Sequence, residues 1–170
     1  MRWLDFSGAP PLLIPRRLVQ HWHGAFLPDS NRFSELNTAN PRTDYDRACR
    51  EAWPGRGVLR IADGSALVLY TEFDDHTWDE KRSIVACGHW LPSDEMFTAA
   101  RWTDALRWEI VDAEFVLMNS AASGRHGLRN DDWMPVTLAP GAYLVEYADI
   151  AAEYTGCFHK FTHLAAKSGA

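Results

Sequence analysis

Nowhere in the 170 residues does an apolar run exceed a few residues, whereas a membrane-spanning helix needs about 20 in succession. The opening Met1-Arg2-Trp3-Leu4-Asp5 is interrupted by charge, so a cleaved signal peptide is not expected. Cysteine is scarce and odd in number. Cys49, Cys87 and Cys157 stand far apart with no C-x-x-C pair, which excludes a zinc ribbon and a thioredoxin-type redox motif. Three free thiols fit a reducing compartment, and the expected location is cytoplasmic. Positive charge is in deficit: 17 Lys and Arg against 23 Asp and Glu leave a net charge of −6. That balance disfavours direct nucleic-acid binding, because phosphate affinity rests on Lys and Arg. Internal repeats, low-complexity tracts and GxGxxG, Walker, HExxH, GxSxG and EF-hand patterns are also missing.

The rest is the material of an ordinary globular protein, with 46% hydrophobic and 24% charged residues, enough to bury a core without disulfides or metal. Tryptophan is overrepresented at eight residues. Each buries a large area and needs a partner for its N–H, so some line the core and others are free to anchor a partner protein.

Residues 1–170 read as one α+β domain, a mainly antiparallel sheet with two or three inserted helices. Leu12-Leu13-Ile14 is a short strand, and Pro15 suits the first turn of a helix carrying Leu18, Val19 and Trp22, stopped by Gly24. Residues 27–43 are a loop, after which Thr43 or Asp44 caps a short helix to Arg50 with Tyr45, Ala48 and Cys49 inward. Residues 57–71 form a hairpin with Asp63-Gly64 at its tip and Gly64 at positive φ. Its register puts Leu59, Ile61, Ala66, Val68 and Tyr70 on one face, Leu67 and Leu69 on the other. Residues 72–82 are a charged connection, 83–87 a strand, and Ser93 starts a helix to about Arg101 on which Met96, Phe97 and Ala100 pack. Two strands follow at 108–111 and 114–118, then a polar loop over 119–132. A strand around Val136 and Leu138, a Pro140-Gly141 turn, a strand with Tyr143, Val145 and Tyr147 on one face, and a closing strand over 158–164 complete the chain.

Chemistry is thinly supported. His21-Trp22-His23, Cys87-Gly88-His89 and His159-x3-His163 are the nearest metal-ligand pairs, but zinc needs three or four convergent ligands, so no metal and no stoichiometric zinc is expected. No other cofactor is implied. Asp74-Asp75-His76 with Asp79-Glu80 has the makings of a divalent-cation or acid–base site, against the commoner reading of a solvated loop balanced by Lys81 and Arg82. No cysteine carries a local nucleophile signature.

The arrangement Trp3-x3-Ser7-Gly8-x-Pro10, then Leu13-Ile14-Pro15-x2-Leu18-x3-Trp22-x-Gly24, resembles the opening of the immunity protein 21 family, small proteins encoded beside bacterial polymorphic toxins. The likeness continues through Asp44-Tyr45-Asp46-Arg47-Ala48-Cys49, Asp63-Gly64-x-Ala66-Leu67-Val68-Leu69 and Thr77-Trp78. It ends with Leu117-Met118-Asn119-Ser120-Ala121 and Leu138-x-Pro140-Gly141-x-Tyr143-x-Val145. Ala9 stands where a second glycine is usual and Asn119 where an aspartate is usual. The resemblance implies a non-enzymatic α+β protein that neutralises a cognate toxin domain by binding it, occluding its active site or substrate groove. It transfers no catalytic residues. The net charge suits a basic partner such as a nuclease. Acidic loops with aromatic anchors are then the expected toxin-binding surface: Glu72, Asp74, Asp75, Trp78, Asp79 and Glu80 on one loop, Asp131, Asp132 and Trp133 on another. The alternative is a small metal- or ligand-binding enzyme using the His and carboxylate clusters, which requires them to converge in one cleft.

Overall fold

The computed structural model describes residues 1–27, 32–52, 56–151 and 154–164. Its strands in chain order are β1 (Leu4–Asp5), β2 (Pro11–Pro15), β3 (Arg56–Ile61), β4 (Gly64–Leu69), β5 (Asp75–Asp79), β6 (Ile84–Cys87), β7 (Thr103–Ile110), β8 (Glu114–Asn119), β9 (Trp133–Thr137), β10 (Gly141–Ala151) and β11 (Thr155–Leu164). Among the described residues, the α-helices are α1 (Asp44–Ala52), α2 (Asp94–Ala99) and α3 (Gly124–Arg129), and a 3-10 helix spans Arg16–His21. The strands form two antiparallel sheets, ordered β1-β5-β6-β11-β10-β7 and β3-β4-β2-β8-β9.

The order of layers follows from which strand faces are apolar. Inward residues of both sheets, among them Leu13, Leu67, Leu69, Phe115 and Leu117 from one and Trp78, Val85, Trp108, Val145 and Phe161 from the other, make a shared core. The two sheets therefore pack face to face. Because β2, β4 and β8 are apolar on both faces, the five-stranded sheet needs a second cover. The 3-10 helix and α1 supply it through Leu18, Val19, Ala48 and Ala52, packed on Leu12, Ile14, Val68 and Met118. The outer face of the other sheet is covered by α2 and its flanks, where Met96, Phe97, Trp90 and Trp102 meet Ile84, Ala86 and Phe158. Two of the most deeply buried tryptophans have their N–H groups satisfied: Trp22 Nε1 donates to the Ser120 carbonyl at 3.0 Å and Trp108 Nε1 to Ser65 Oγ at 3.1 Å.

The hairpin of β3 and β4 has the expected faces, with Leu59 opposite Ala66 and Ile61 opposite Gly64. Its tip is Ala62-Asp63, not Asp63-Gly64. Ala62 takes the left-handed conformation at φ 50°, and Gly64 is a strand residue without positive φ. A glycine suits this position for a different reason: a Cβ at Gly64 would stand 2.6 Å from Leu18 Cδ1 of the 3-10 helix, so that buried side chain would have to shift.

Three further readings are corrected. Residues 75–79, expected in a charged connection, are β5, a strand between β1 and β6. Residues 124–129, expected in a polar loop, are α3, capped by Ser123, whose Oγ accepts from His126 N–H. Gly124 lets that helix press onto the 3-10 helix, since a Cβ there would lie 1.9 Å from the Val19 carbonyl oxygen. The helix begun by Ser93 stops at Ala99 because Ala100 is extended. No helix among the described residues is long and apolar enough to cross a membrane.

Candidate functional site

The nine residues expected to bind a partner are spread along β5 and near the start of β9. Glu72 and Asp74 are exposed in the turn leading into β5, and Asp75 is half-buried at its first position, 3.8 Å from His89 Nδ1. Trp78 is only 9% exposed, with its ring edge-on to Phe161 in the shared core. Asp79 is 6% exposed, lies 3.4 Å from Arg82 and accepts the Lys81 N–H, closing the turn into β6. Glu80 is exposed beyond that end. At about 3.3 Å of rise per residue, the two ends of β5 are some 13 Å apart, so the stretch 72–80 is not one loop surface.

The second group is partly neutralised. Asp131 pairs with Arg2 at 3.2 Å, and the Arg16 guanidinium lies 5.0 Å over the Trp133 ring, while Asp132 is exposed. Arg2 also places this group beside β5, because its carbonyl accepts from Thr77 Oγ1 at 2.6 Å.

Around Glu72 and Asp74 the fold assembles more than the sequence suggested. A cleft of about 550 Å³ opens between α1, the 36–38 segment and the residues following β4, lined by Leu36, Tyr45, Tyr70 and Gly8. Tyr70 donates to Glu72 Oε1 at 2.7 Å, so one carboxylate stands at the rim. That bond holds the Tyr70 hydroxyl above its ordinary pKa. Asp74 is the second, since a Cβ on Gly8 would lie 3.7 Å from Asp74 Oδ1. Tyr147, hydrogen-bonded to Asp149, interacts electrostatically with Tyr70, and burial followed by that bond pushes its pKa up. Tyr70 and the exposed Leu36 thus share the cleft, and Tyr147, which also donates to a carboxylate, lies near Tyr70. Tyr70, Tyr147 and Asp149 were not legible as site residues because the turn after β4 and the strand β10, distant in sequence, bring them together.

The floor of the cleft is set by α1. Thr43 Oγ1 accepts the Asp46 N–H at 3.0 Å, and Asp46 Oδ2 accepts the Thr43 N–H at 2.9 Å, a reciprocal cap. The same carboxylate takes the N–H groups of Asn37 and Arg42, at 2.7 and 2.9 Å, tying the preceding loop to the helix. Burial raises its pKa, but these bonds outweigh it and hold Asp46 below the ordinary carboxylate value. The Asp44–Cys49 stretch is therefore accounted for by structure: Ala48 is in the core, and Arg47 joins Asp44 to the Arg60 carbonyl.

The three pairs that came nearest to metal-ligand spacing, and were expected to hold no metal, are not brought together as sites. His21, His23 and His163 are exposed, and His89 is turned from Cys87 by Gly88 at φ 109°. A different set converges: Cys87, Cys157 and His159, buried between the sheets, have ligand atoms all within 4.8 Å of one another. No short-range spacing exposes this, because Cys87 and Cys157 meet only as directly opposed residues of β6 and β11. The buried Cys87 thiol is pushed up in pKa by loss of water, and Cys157 is lowered as the acceptor of the Cys87 S–H, with His159 and Thr71 alongside.

Neither the curated proteins nor the solved structures contain a match to this chain. The sequence model of the family described as Immunity protein 21 matches residues 2–155. By that match over nearly its whole length, the chain belongs to the immunity protein 21 family.

Proposed function

We propose that this chain neutralises a cognate toxin domain by binding it and covering its active site or substrate groove. Family membership carries the reading. The rim of the cleft supports a location for it: Glu72 and Asp74, with Asp75 next in the chain, stand by Tyr70 and the 53%-exposed Leu36, and Tyr147 and Asp149 lie near Tyr70. Carboxylates steer a basic partner such as a nuclease toward this face, and the aromatic and aliphatic groups hold it once docked. Asp131, Asp132 and Trp133 form a weaker second patch, because Arg2 and Arg16 offset its charge. Trp78 and Asp79 serve the fold beneath. Inhibition by occlusion needs no chemistry from the inhibitor, in keeping with a non-enzymatic role in the compartment where the toxin would act.

The test is co-expression with the toxin domain encoded next to this gene. The two proteins should elute as one complex in size-exclusion chromatography, and growth arrest by the toxin should be relieved. Separate elution together with unrelieved arrest would overturn the reading.

A further inference from the structure

On the inner face of the six-stranded sheet, His76 of β5 is directly opposite Cys87 of β6, which is directly opposite Cys157 of β11. His159, two residues along β11, points to the same face. All four are sealed from water, at 0% exposure for His76, Cys87 and His159 and 1% for Cys157. His159 Nε2 lies 2.8 Å from the Tyr70 carbonyl, which only accepts, so Nε2 carries the proton and Nδ1 keeps a free lone pair. That Nδ1 has no hydrogen-bond partner. His76 is more exceptional. Its ring stacks on Phe6 at 4.6 Å, and neither of its nitrogens makes a hydrogen bond of normal geometry, although the Asp74 backbone interacts with the ring. A buried polar atom left unpaired costs roughly 1–3 kcal/mol, so the unpaired His159 Nδ1 beside two thiols, with the His76 ring on the next strand, calls for an occupant.

We propose that Cys87, Cys157 and His159 bind one thiophilic divalent cation of the zinc class between the sheets, with His76 as the fourth ligand. The charge and chemistry select that class. Two thiolates and two neutral imidazoles balance a dication, so the loaded site buries no net charge. Sulfur and imidazole donors favour zinc-like ions over magnesium or calcium, which prefer oxygen. The spread of up to 4.8 Å among the three assembled donors lets a small contraction reach tetrahedral bonding, with zinc–sulfur near 2.3 Å and zinc–nitrogen near 2.0–2.1 Å. The Tyr70 carbonyl fixes the ring orientation of His159, the usual arrangement for a metal-bound histidine. Loading would release the thiol protons to solvent and clamp β5, β6 and β11 together. The inference is independent of the toxin-binding reading.

The experiment uses the full chain, reduced and stripped with a chelator, titrated with Co2+ as a spectroscopic probe and then with Zn2+. One equivalent of Co2+ should raise a sulfur-to-cobalt charge-transfer band that Zn2+ abolishes, and either ion should raise the melting temperature. Cys49→Ser should behave as wild type. Cys87→Ala and Cys157→Ala should lose the band, and His76→Ala, which removes a direct ligand, should weaken binding by more than the roughly 10- to 100-fold that loss of an outer-shell partner costs. Wild-type protein that is folded by near-ultraviolet circular dichroism but gives no band and no thermal shift would overturn the proposal, whatever the variants do. So would a band that survives in the Cys87→Ala/Cys157→Ala double variant. Unchanged affinity in His76→Ala would overturn the assignment of the fourth ligand. A mass 2 Da below the reduced value, restored by dithiothreitol, with no metal bound by the reduced chain, would make the pair a disulfide instead.

Discussion

Asp46 fastens a loop to a helix through one side chain, and its energetics are those of a buried anion held by N–H groups. Its pKa lies below the ordinary 3.8 because the folded state supplies donors that the unfolded chain lacks. A carboxyl with a depressed folded value contributes fully above the unfolded pKa and loses that contribution as the pH falls through the folded one. Asp46→Asn should therefore lower the unfolding free energy by about 1–3 kcal/mol near neutral pH. The gap to wild type should close as the pH drops below 3.8, read by urea titrations at several pH values. A gap that persists undiminished at about pH 3 would show that shape, not charge, sets the contribution. The cap itself was legible at this scale, because Thr43 stands directly before the helical run. The additional bonds from Asn37 and Arg42 depend on how the loop folds back, and local sequence carries no sign of that.

Among the elements, the hairpin of β3 and β4 shows how a correct pattern can hide a wrong cause. Alternation of Leu59 and Ile61 against Ala66 and Val68 fixed the faces, since a one-residue slip would turn all four to the wrong side. Gly64, however, makes room for Leu18, a contact between elements that no turn rule contains. Gly64→Ala should cost about 1–3 kcal/mol by overpacking. In a double-mutant cycle with Leu18→Ala the two costs should be clearly less than additive, because the smaller side chain removes the clash. Additive costs in chemical denaturation would place the penalty in the backbone. β5 was misread for a related reason. Asp75 and Asp79 bracket it with charge, and both faces of its centre are covered, His76 and Trp78 toward the shared core and Thr77 toward Arg2. Alternation appears only when one face meets water, so such a strand has no period-two signal. α3 was hidden by its glycines, which look like loop residues until Gly124 is seen against the Val19 carbonyl.

At the scale of the whole molecule, stacking two sheets between helical covers decides which of the acidic and aromatic residues can meet a partner. Composition named acidic residues and tryptophans as the binding groups; the layers take Trp78 into the core and leave Glu72, Asp74, Tyr70 and Leu36 around the cleft. Charge and apolar contact then act on different rates. Unpaired carboxylates steer encounter, so Glu72→Lys with Asp74→Lys should slow association with the toxin domain about 10-fold at low salt and flatten its salt dependence. Asp131→Lys with Asp132→Lys should have the smaller effect, because Arg2 already offsets part of that charge. Leu36→Ala removes contact made only after docking and should raise the dissociation rate about 10-fold with little change in association. Trp78→Ala should behave differently from all of these, costing about 3–5 kcal/mol of folding stability as a core truncation. At temperatures where that variant remains folded, its binding rates should stay near wild type. Stopped-flow association over a range of salt, paired with dissociation and unfolding measurements on the same proteins, separates the three behaviours. Charge reversal at Glu72 and Asp74 that leaves association unchanged, alongside a Trp78→Ala variant that is folded but dissociates faster, would move the interface from the cleft rim to the β5 edge.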